Sequence, residues 1–412
     1  MEYGLIAEKL GHSFSKEVHG FLADYDYELR ELTLNELDVF MRKKAFKAIN
    51  VTIPYKEKVI PYLYEIDSAA EKIGSVNTIV NKDGKLFGYN TDFLGMRAMI
   101  LRSGIDIRNK KVLILGSGGT GNTAFAVCDD LGAKEILTVS RTKNDCNITY
   151  DEAYSFHLDA QVIINTTPCG MFPNISGSPI DLTHFKGLEG AVDAVYNPLK
   201  TAFALSAEKL GAKSVCGLYM LVAQAVYACE KFLGTDIDKN EIDRVYEKVL
   251  KSKQNIVLIG MPSCGKSTIG KFLAEKLGRK FYDTDCIIEE KTGRYCSEII
   301  KTDGEEAFRK IESEVIFEVS KFSEAVIATG GGAVLRQENR LNLHKNGLLW
   351  FIDRPLDKLI TTADRPLSSD REALYKRYDE RYPIYCETAD YKISGDLSIE
   401  EIAQQIKKDI KV

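Results

Sequence analysis

A chain of 412 residues, at about 150 per domain, predicts two to three domains rather than one. With 44% hydrophobic and 28% charged residues it holds enough apolar surface to offset the entropy of folding, which excludes intrinsic disorder. A net charge of -5 argues against a dedicated nucleic-acid binder, although a few placed cations suffice for small anionic ligands. The opening Met1-Glu2-Tyr3-Gly4-Leu5-Ile6 lacks a basic leader pattern, and no apolar run reaches the length of a membrane span. A cytoplasmic protein with neither nucleic-acid nor membrane partners is therefore expected. Nine cysteines without a CxxC pair predict reduced thiols, and five histidines without HxH or HxxxH spacing predict no transition-metal site.

Short β-branched runs alternate with longer helical stretches, the pattern of α/β architecture. Polar clusters come first: Gly11-His12-Ser13-Phe14-Ser15, Asn50-Val51-Thr52-Ile53-Pro54-Tyr55-Lys56, Ser75-Val76-Asn77-Thr78 and Asn90-Thr91-Asp92. Each alone reads as a turn or cap. Together they supply the small donors and acceptors that a polyhydroxylated substrate needs, with one lysine able to protonate a ketone under reduction.

Lys111 to Leu115 reads as a strand and runs into Gly116-Ser117-Gly118-Gly119-Thr120-Gly121, a GxGxxG turn opening a helix. Such glycines let a pyrophosphate approach backbone N–H groups at the helix N-terminus. The next strand, Ile136 to Ser140, ends in Ser140-Arg141-Thr142, where an acidic residue would select NAD; an arginine with hydroxyls suits the 2′-phosphate of NADP. A solvated surface arginine is the alternative. Val162 to Asn165 follows as a strand, and Asn240 to Ser252 as an amphipathic helix with Ile242, Val245 and Val249 on one face. The junction between domains falls near residue 252, with no Gly/Ser- or Pro-rich linker.

Asn255 to Ile259 then leads into Gly260-Met261-Pro262-Ser263-Cys264-Gly265-Lys266-Ser267-Thr268, a full GxxxxGK[ST] loop. Its N–H groups cradle phosphates, Lys266 reaches the β/γ oxygens and the Ser267 hydroxyl ligates Mg²⁺. Cys264 reads as an inert small residue, with oxidation as the alternative. Beyond it lie Asp283-Thr284-Asp285, Phe308-Arg309 with Glu312 one helical turn on, and the strand Ala325 to Ala328 before Gly330-Gly331-Gly332. Asp364-Arg365-Pro366-Leu367 and Glu380-Arg381 complete the set. A carboxylate for hydroxyls, arginines for a carboxylate and a glycine turn for close approach describe a small hydroxy-acid site.

The first set of motifs resembles shikimate dehydrogenase over essentially residues 1 to 250, together with NTTPCGM (Asn165 to Met171), DAVYNPLKT (Asp193 to Thr201) and LVAQAV (Leu221 to Val226). The resemblance implies a catalytic pair, Lys56 and Asp92. It implies substrate contacts from Ser13, Ser15, Thr52, Asn77, Asp92 and Gln224, with Tyr196 alongside. NADP(H) would lie against Gly116, Gly118, Gly119, Gly121, Ser140, Arg141 and Thr142, with Gly217 near the nicotinamide. Ser140 stands where the family commonly has Asn, no second Arg follows Thr142, and Gly121-Asn122 stands where many members have small residues and then Arg.

From about residue 254 the chain resembles shikimate kinase. This implies ATP contacts from Gly260, Ser263, Cys264, Gly265, Lys266, Ser267 and Thr268, with Arg365 on a lid. Mg²⁺ would be held by Ser267 and, through water, by Asp283. Shikimate would be bound by Asp285, Arg309, Gly330, Gly331, Gly332 and Arg381, and Asp285 and Lys266 would be catalytic. Many members carry another Arg shortly before RPL, and Ile360 to Asp364 has none.

The two resemblances imply a substrate-binding α/β lobe (1–100 and 217–252), a Rossmann-type NADP-binding lobe (101–216) and a P-loop kinase α/β domain with a parallel sheet (253–412). The expected function is bifunctional: NADPH-dependent reduction of 3-dehydroshikimate to shikimate, then phosphorylation of shikimate by ATP to shikimate 3-phosphate. The alternatives are a quinate/shikimate dehydrogenase and a kinase half serving as a nucleotide- or shikimate-sensing module. Intact Lys56, Asp92, Lys266 and Asp285 argue against a sensor. Homo-oligomerisation is left open.

Overall fold

The computed structural model describes the chain apart from His12, Asn144, residues 360–370 and 411–412, with the backbone alone at 371–373. It comprises two compact units, Met1–Val249 and Leu250–Val412. The boundary lies inside the helix Asn240–Lys253, close to the expected junction.

The first unit holds two sheets. One contains β1 (Tyr3–Ala7), β2 (Tyr27–Glu31), β3 (Ala48–Val51), β4 (Glu65–Ile66), β5 (Thr78–Lys82) and β6 (Lys85–Tyr89) in the order β2-β1-β3-β5-β6-β4. Its strands β1, β2 and β3 are parallel, whereas β5 runs antiparallel to β3 and β6. The other contains β7 (Lys111–Leu115), β8 (Glu135–Val139), β9 (Val162–Asn165), β10 (Gly190–Asp193) and β11 (Lys213–Val215) in the order β11-β10-β9-β7-β8. All its pairings are parallel. Strands covered on both faces by helices read as unbroken apolar runs, and Val112 to Leu115 and Val162 to Ile164 are accordingly 0% exposed. The chain leaves β7 for β8 on one side and returns to β9 on the other. A crevice therefore opens beyond the carboxyl ends of β7 and β9.

The helices Thr91–Ser103 and Leu218–Leu233 pack face to face and bring the end of this unit back onto its first sheet, against β3 and β5. Gly95 makes that approach possible, because a Cβ there would lie 2.7 Å from the Met220 carbonyl oxygen.

The second unit is built on β12 (Asn255–Ile259), β13 (Lys280–Asp283), β14 (Ala325–Ala328), β15 (Gly347–Asp353) and β16 (Tyr391–Ser394) in the order β13-β14-β12-β15-β16. Every pairing is parallel, so all five strands end at one edge of the sheet. This places the phosphate loop after β12, Asp283 at the end of β13 and the glycine turn after β14 side by side. Val257, Ile259, Val326, Trp350 and Ile406 form part of the core that fixes those ends.

Candidate active sites

In the first unit, Lys56 Nζ lies 2.5 Å from Asp92 Oδ2, with the two side chains 15% and 11% exposed. Lys56 follows the turn after β3, and Asp92 sits in the first turn of Thr91–Ser103. Asn90 caps that helix by accepting from Phe93 N at 3.1 Å. A cation and an anion held together in a sparsely hydrated place orient each other more firmly than a surface pair would.

Beside them the amides of Asn77 and Gln224 have defined orientations. Asn77 Oδ1 accepts from Thr91 N at 2.7 Å, and Gln224 Nε2 donates to Leu221 O at 2.9 Å. A backbone N–H can only donate and a carbonyl only accept, so neither amide can be flipped. Asn77 Nδ2 therefore donates to Thr91 Oγ1 at 3.1 Å and points towards Gln224 Oε1, 3.4 Å away, so the two amides meet in fixed orientations. Thr52 lies in the same turn as Lys56 and is half-buried. Ser13 and Ser15 stand on another element: Ser13 Oγ accepts from Ser15 N at 3.2 Å, and the intervening Phe14 packs on Tyr196 with ring centroids 5.3 Å apart. Burial raises the Tyr196 hydroxyl above its ordinary range.

Lys56 also lines a cleft of about 1440 Å³ together with Gly116, Gly118, Gly119, Arg141 and Thr142. The glycine turn and the lysine, on separate sheets and far apart in the chain, thus face one space. Gly116 adopts φ 108°, and a Cβ on Gly121 would meet the Gly116 carbonyl oxygen at 2.2 Å. Both observations fit a turn whose backbone N–H groups receive a pyrophosphate. The Ser140 hydroxyl, also on the lining, is committed to the turn itself: it donates to Thr142 O at 2.6 Å and accepts from Thr142 N at 3.2 Å. Arg141 is exposed and makes no ion pair among the described residues, whereas Lys143 is paired with Glu152. Arg141 thus stands on the cleft wall without a carboxylate partner among the described residues.

Gly121 and Gly217 are not on the cleft's lining. Gly217 instead caps Leu218–Leu233, where a Cβ would strike the Ala194 carbonyl oxygen at 2.2 Å. The lining adds Thr166, Thr167 and Asn147, which sequence reasoning did not select. Thr166 and Thr167 belong to the NTTPCGM motif, and their place after β9, next to β7, was the available clue. Nothing local marks Asn147.

Asp193 was also missed. Its carboxylate, 0% exposed, accepts from Asn165 Nδ2 at 2.9 Å, Val195 N at 2.9 Å and Thr201 Oγ1 at 2.6 Å. It thereby ties the Asn165 loop to the segment bearing Tyr196. Burial pushes its carboxyl up to about 6, against the pull of those three hydrogen bonds.

In the second unit the phosphate loop has φ values of 145° at Gly260, 63° at Ser263 and 99° at Gly265. Lys266, 7% exposed, donates to Gly260 O at 2.9 Å and Met261 O at 2.8 Å. Cys264 is 1% exposed with its Sγ 3.7 Å from Lys266 Nζ, so it is a packed residue of the loop. Ser267 Oγ donates to Asp283 Oδ2 at 2.5 Å, which sets a hydroxyl and a carboxylate side by side, oxygen donors of the kind a hard cation takes. Thr268 is exposed on the first turn of the helix Lys266–Leu277.

The residues expected to bind the acceptor converge on the glycine turn. A Cβ on Gly330 would lie 2.6 Å from Asp285 Oδ1, and one on Gly332 would lie 2.2 Å from both terminal nitrogens of Arg309. Arg309 is held by Glu312 at 2.7 Å and Glu305 at 2.9 Å. Burial keeps the Glu312 carboxyl above the usual range despite that arginine. Arg381 Nη1 donates to Gly331 O at 3.3 Å, and the Tyr385 hydroxyl donates to the same oxygen. The predicted acceptor residues thus meet along the glycine turn, where Gly331 supplies the carbonyl that Arg381 grips. Arg365 lies outside the described residues.

Among the described residues no group of His, Cys, Asp and Glu forms a metal cluster, and no helix is long and apolar enough to cross a membrane.

The family model for the shikimate dehydrogenase substrate binding domain matches residues 5–79, and that for shikimate kinase matches residues 262–411. The shikimate dehydrogenase (NADP(+)) of Clostridium perfringens (strain SM101 / Type A) is 39% identical over 271 residues, covering 60% of this chain and 97% of that protein. That of Caldicellulosiruptor bescii is 36% identical, covering 54% and 86%. Among solved structures, a chorismate mutase/shikimate 5-dehydrogenase fusion protein from Clostridium acetobutylicum shares 37% identity with a TM-score of 0.57, covering 60% and 96%. Shikimate 5-dehydrogenase from Thermus thermophilus in complex with NADP(H) and shikimate shares 27% identity with a TM-score of 0.54, covering 60% and 99%.

Proposed function

The chain belongs to the shikimate dehydrogenase family and carries a shikimate kinase domain behind it, making it a bifunctional shikimate-pathway enzyme, and we propose the following division of labour among its residues. The first unit reduces 3-dehydroshikimate to shikimate, and the second phosphorylates the 3-hydroxyl of shikimate. NADPH supplies the hydride, and ATP with Mg²⁺ supplies the phosphoryl group.

The observation that carries the first assignment is the Lys56–Asp92 pair on the wall of the cleft that holds the Gly116 turn. As the ketone is reduced, charge builds on its oxygen. The Lys56 ammonium stabilises that oxygen and donates the proton, a contribution of about 10²- to 10⁴-fold for a positioned acid. Asp92 holds Lys56 in line and accepts from a substrate hydroxyl. Asn77 and Gln224 contact substrate hydroxyls through amides whose orientations main-chain atoms fix. Ser13, Ser15, Thr52 and Tyr196 complete the substrate wall, and Arg141 selects NADP.

In the second unit Asp285 orients the attacking hydroxyl and takes its proton, while Arg309 and Arg381 grip the substrate carboxylate. Lys266 exchanges its carbonyl partners Gly260 and Met261 for phosphate oxygens. Ser267 would hold Mg²⁺ directly and Asp283 through water. The lobes are assigned as 1–100 with 217–252 for the substrate, 101–216 for NADP and 253–412 for the kinase. A cytoplasmic location fits the cysteine pattern of the sequence, nine cysteines in odd number with no CxxC pair.

The test uses the purified full chain with 3-dehydroshikimate, NADPH, ATP and Mg²⁺, following NADPH loss and ADP release separately. Lys56→Ala should abolish the first while shikimate-driven ADP release persists, and Lys266→Ala should do the reverse. Consumption of NADH but not NADPH would overturn the cofactor assignment, and loss of both activities in either variant would overturn independent sites.

A further inference from the structure

Arg354 follows β15 directly and has no part in the scheme above. A Cβ on Gly265 would lie 3.9 Å from its Nη1. The guanidinium therefore stands at the last glycine of the phosphate loop, where the first N–H groups of Lys266–Leu277 emerge. Its root is pinned by the turn after β16, since a Cβ on Gly395 would come within 2.8 Å of Arg354 Cβ and 3.0 Å of its Cα.

The neighbouring acids are already engaged. Asp353 Oδ2 is 2.8 Å from Lys392 Nζ, and Asp396 Oδ2 is 3.0 Å from Lys358 Nζ. Arg354 makes no ion pair among the described residues, and its Nε is buried without a hydrogen-bond partner. A half-buried guanidinium without a carboxylate is costly to keep, and a planar fork of donors matches phosphate oxygens in two-point geometry. Its nearest loop neighbour belongs to the anion cradle.

We propose that Arg354 is a phosphate-contacting residue of the kinase site, donating from its guanidinium to nucleotide phosphate oxygens next to Gly265. This rests on the kinase reading of the second unit. It adds a cation that the loop motif does not contain.

The experiment measures shikimate-dependent ADP release by the full chain, with inorganic tripolyphosphate as competitor against ATP. Arg354→Met should raise the KM for ATP and the inhibition constant of tripolyphosphate by about tenfold each, the effect of one charge-assisted hydrogen bond. The KM for shikimate and the rate of NADPH oxidation should stay as in wild type. Arg354→Lys, which keeps the charge without the fork, should raise both constants by a smaller factor. Unchanged constants in Arg354→Met would overturn the proposal. So would a rise for ATP with none for tripolyphosphate, which would place the guanidinium on the base or ribose. If Arg354→Met does not fold, Arg354→Lys decides, and wild-type constants there would refute the contact. A wild-type chain without shikimate-dependent ADP release would bring down the kinase reading and this proposal with it, whereas an active wild type matched by its variants removes the proposal alone.

Discussion

Gly332→Ala tests whether Arg309 is a substrate ligand without touching the arginine. The backbone at Gly332, φ -102° and ψ -1°, is open to alanine, so the added methyl acts through contact alone. That methyl would lie 2.2 Å from both terminal nitrogens of Arg309 and 2.3 Å from Cζ. Ordinary contact needs a retreat of about 1 Å. A free arginine would swing aside at little cost. This one is 7% exposed and tied to Glu312 at 2.7 Å and Glu305 at 2.9 Å, so movement either strains the pocket or opens a buried ion pair. Overpacking costs about 1–3 kcal/mol and a broken buried pair about 3–5 kcal/mol, so the strained arrangement wins. A ligand displaced by about 1 Å loses about 10²-fold in rate or binding. The assay is shikimate-dependent ADP release across a shikimate titration, with NADPH oxidation as an internal control. The expected result is a rise of about 10- to 100-fold in the KM for shikimate, with the reductase unaltered. A folded variant with the wild-type KM would refute the placement of Arg309 on the substrate.

Arg141→Ala should raise the KM for NADPH about tenfold while leaving that for NADH unchanged, because only the former carries the 2′-phosphate; equal effects on both would remove Arg141 from the selectivity. EDTA should abolish ADP release and spare NADPH oxidation, and a kinase indifferent to EDTA would contradict Mg²⁺ at Ser267 and Asp283. Asp193 predicts a pH signature. Its carboxyl is raised to about 6 in the fold, so the folded state binds the proton more tightly than the unfolded chain. The stabilisation is complete below the unfolded value near 4 and is lost as pH rises through about 6, an effect of about 3 kcal/mol. Thermal melts of wild type and Asp193→Asn should therefore show a stability difference that changes between about pH 4 and 6 in the variant's favour, and a pH-independent difference would refute the assignment.

The phosphate-binding turns were legible in the residues because their chemistry is local. Gly116 to Gly121 and Gly260 to Thr268 carry glycine spacing, a preceding strand and a following helix within one short window, and backbone conformation alone shapes the cradle. Ser140 and Arg141 were legible as a pair but not in their separate fates, since the Ser140 hydroxyl closes its own turn on Thr142 while Arg141 stays exposed. Asp193 and Arg354 escaped because their importance lies in what surrounds them. The first is a strand-end carboxylate distinguished only by complete burial, and the second a strand-end arginine distinguished only by lacking a carboxylate partner.

By itself the sequence determined the α/β class, the two glycine turns and the residue types from which the candidate sites are built, for these depend on residue type and near neighbours. The tertiary structure alone decided which of those side chains meet. Asn77 and Gln224 are 147 residues apart, Lys56 and Asp92 are 36 apart, and the Asp285, Arg309 and Gly332 cluster draws on three separate elements. Parallel strands end at one edge of a sheet, so segments distant in the chain deliver their loops to one place. Burial there sets which charges are paired, which are raised and which remain open to a ligand. No local pattern encodes that outcome, because desolvation and pairing belong to the whole packed unit.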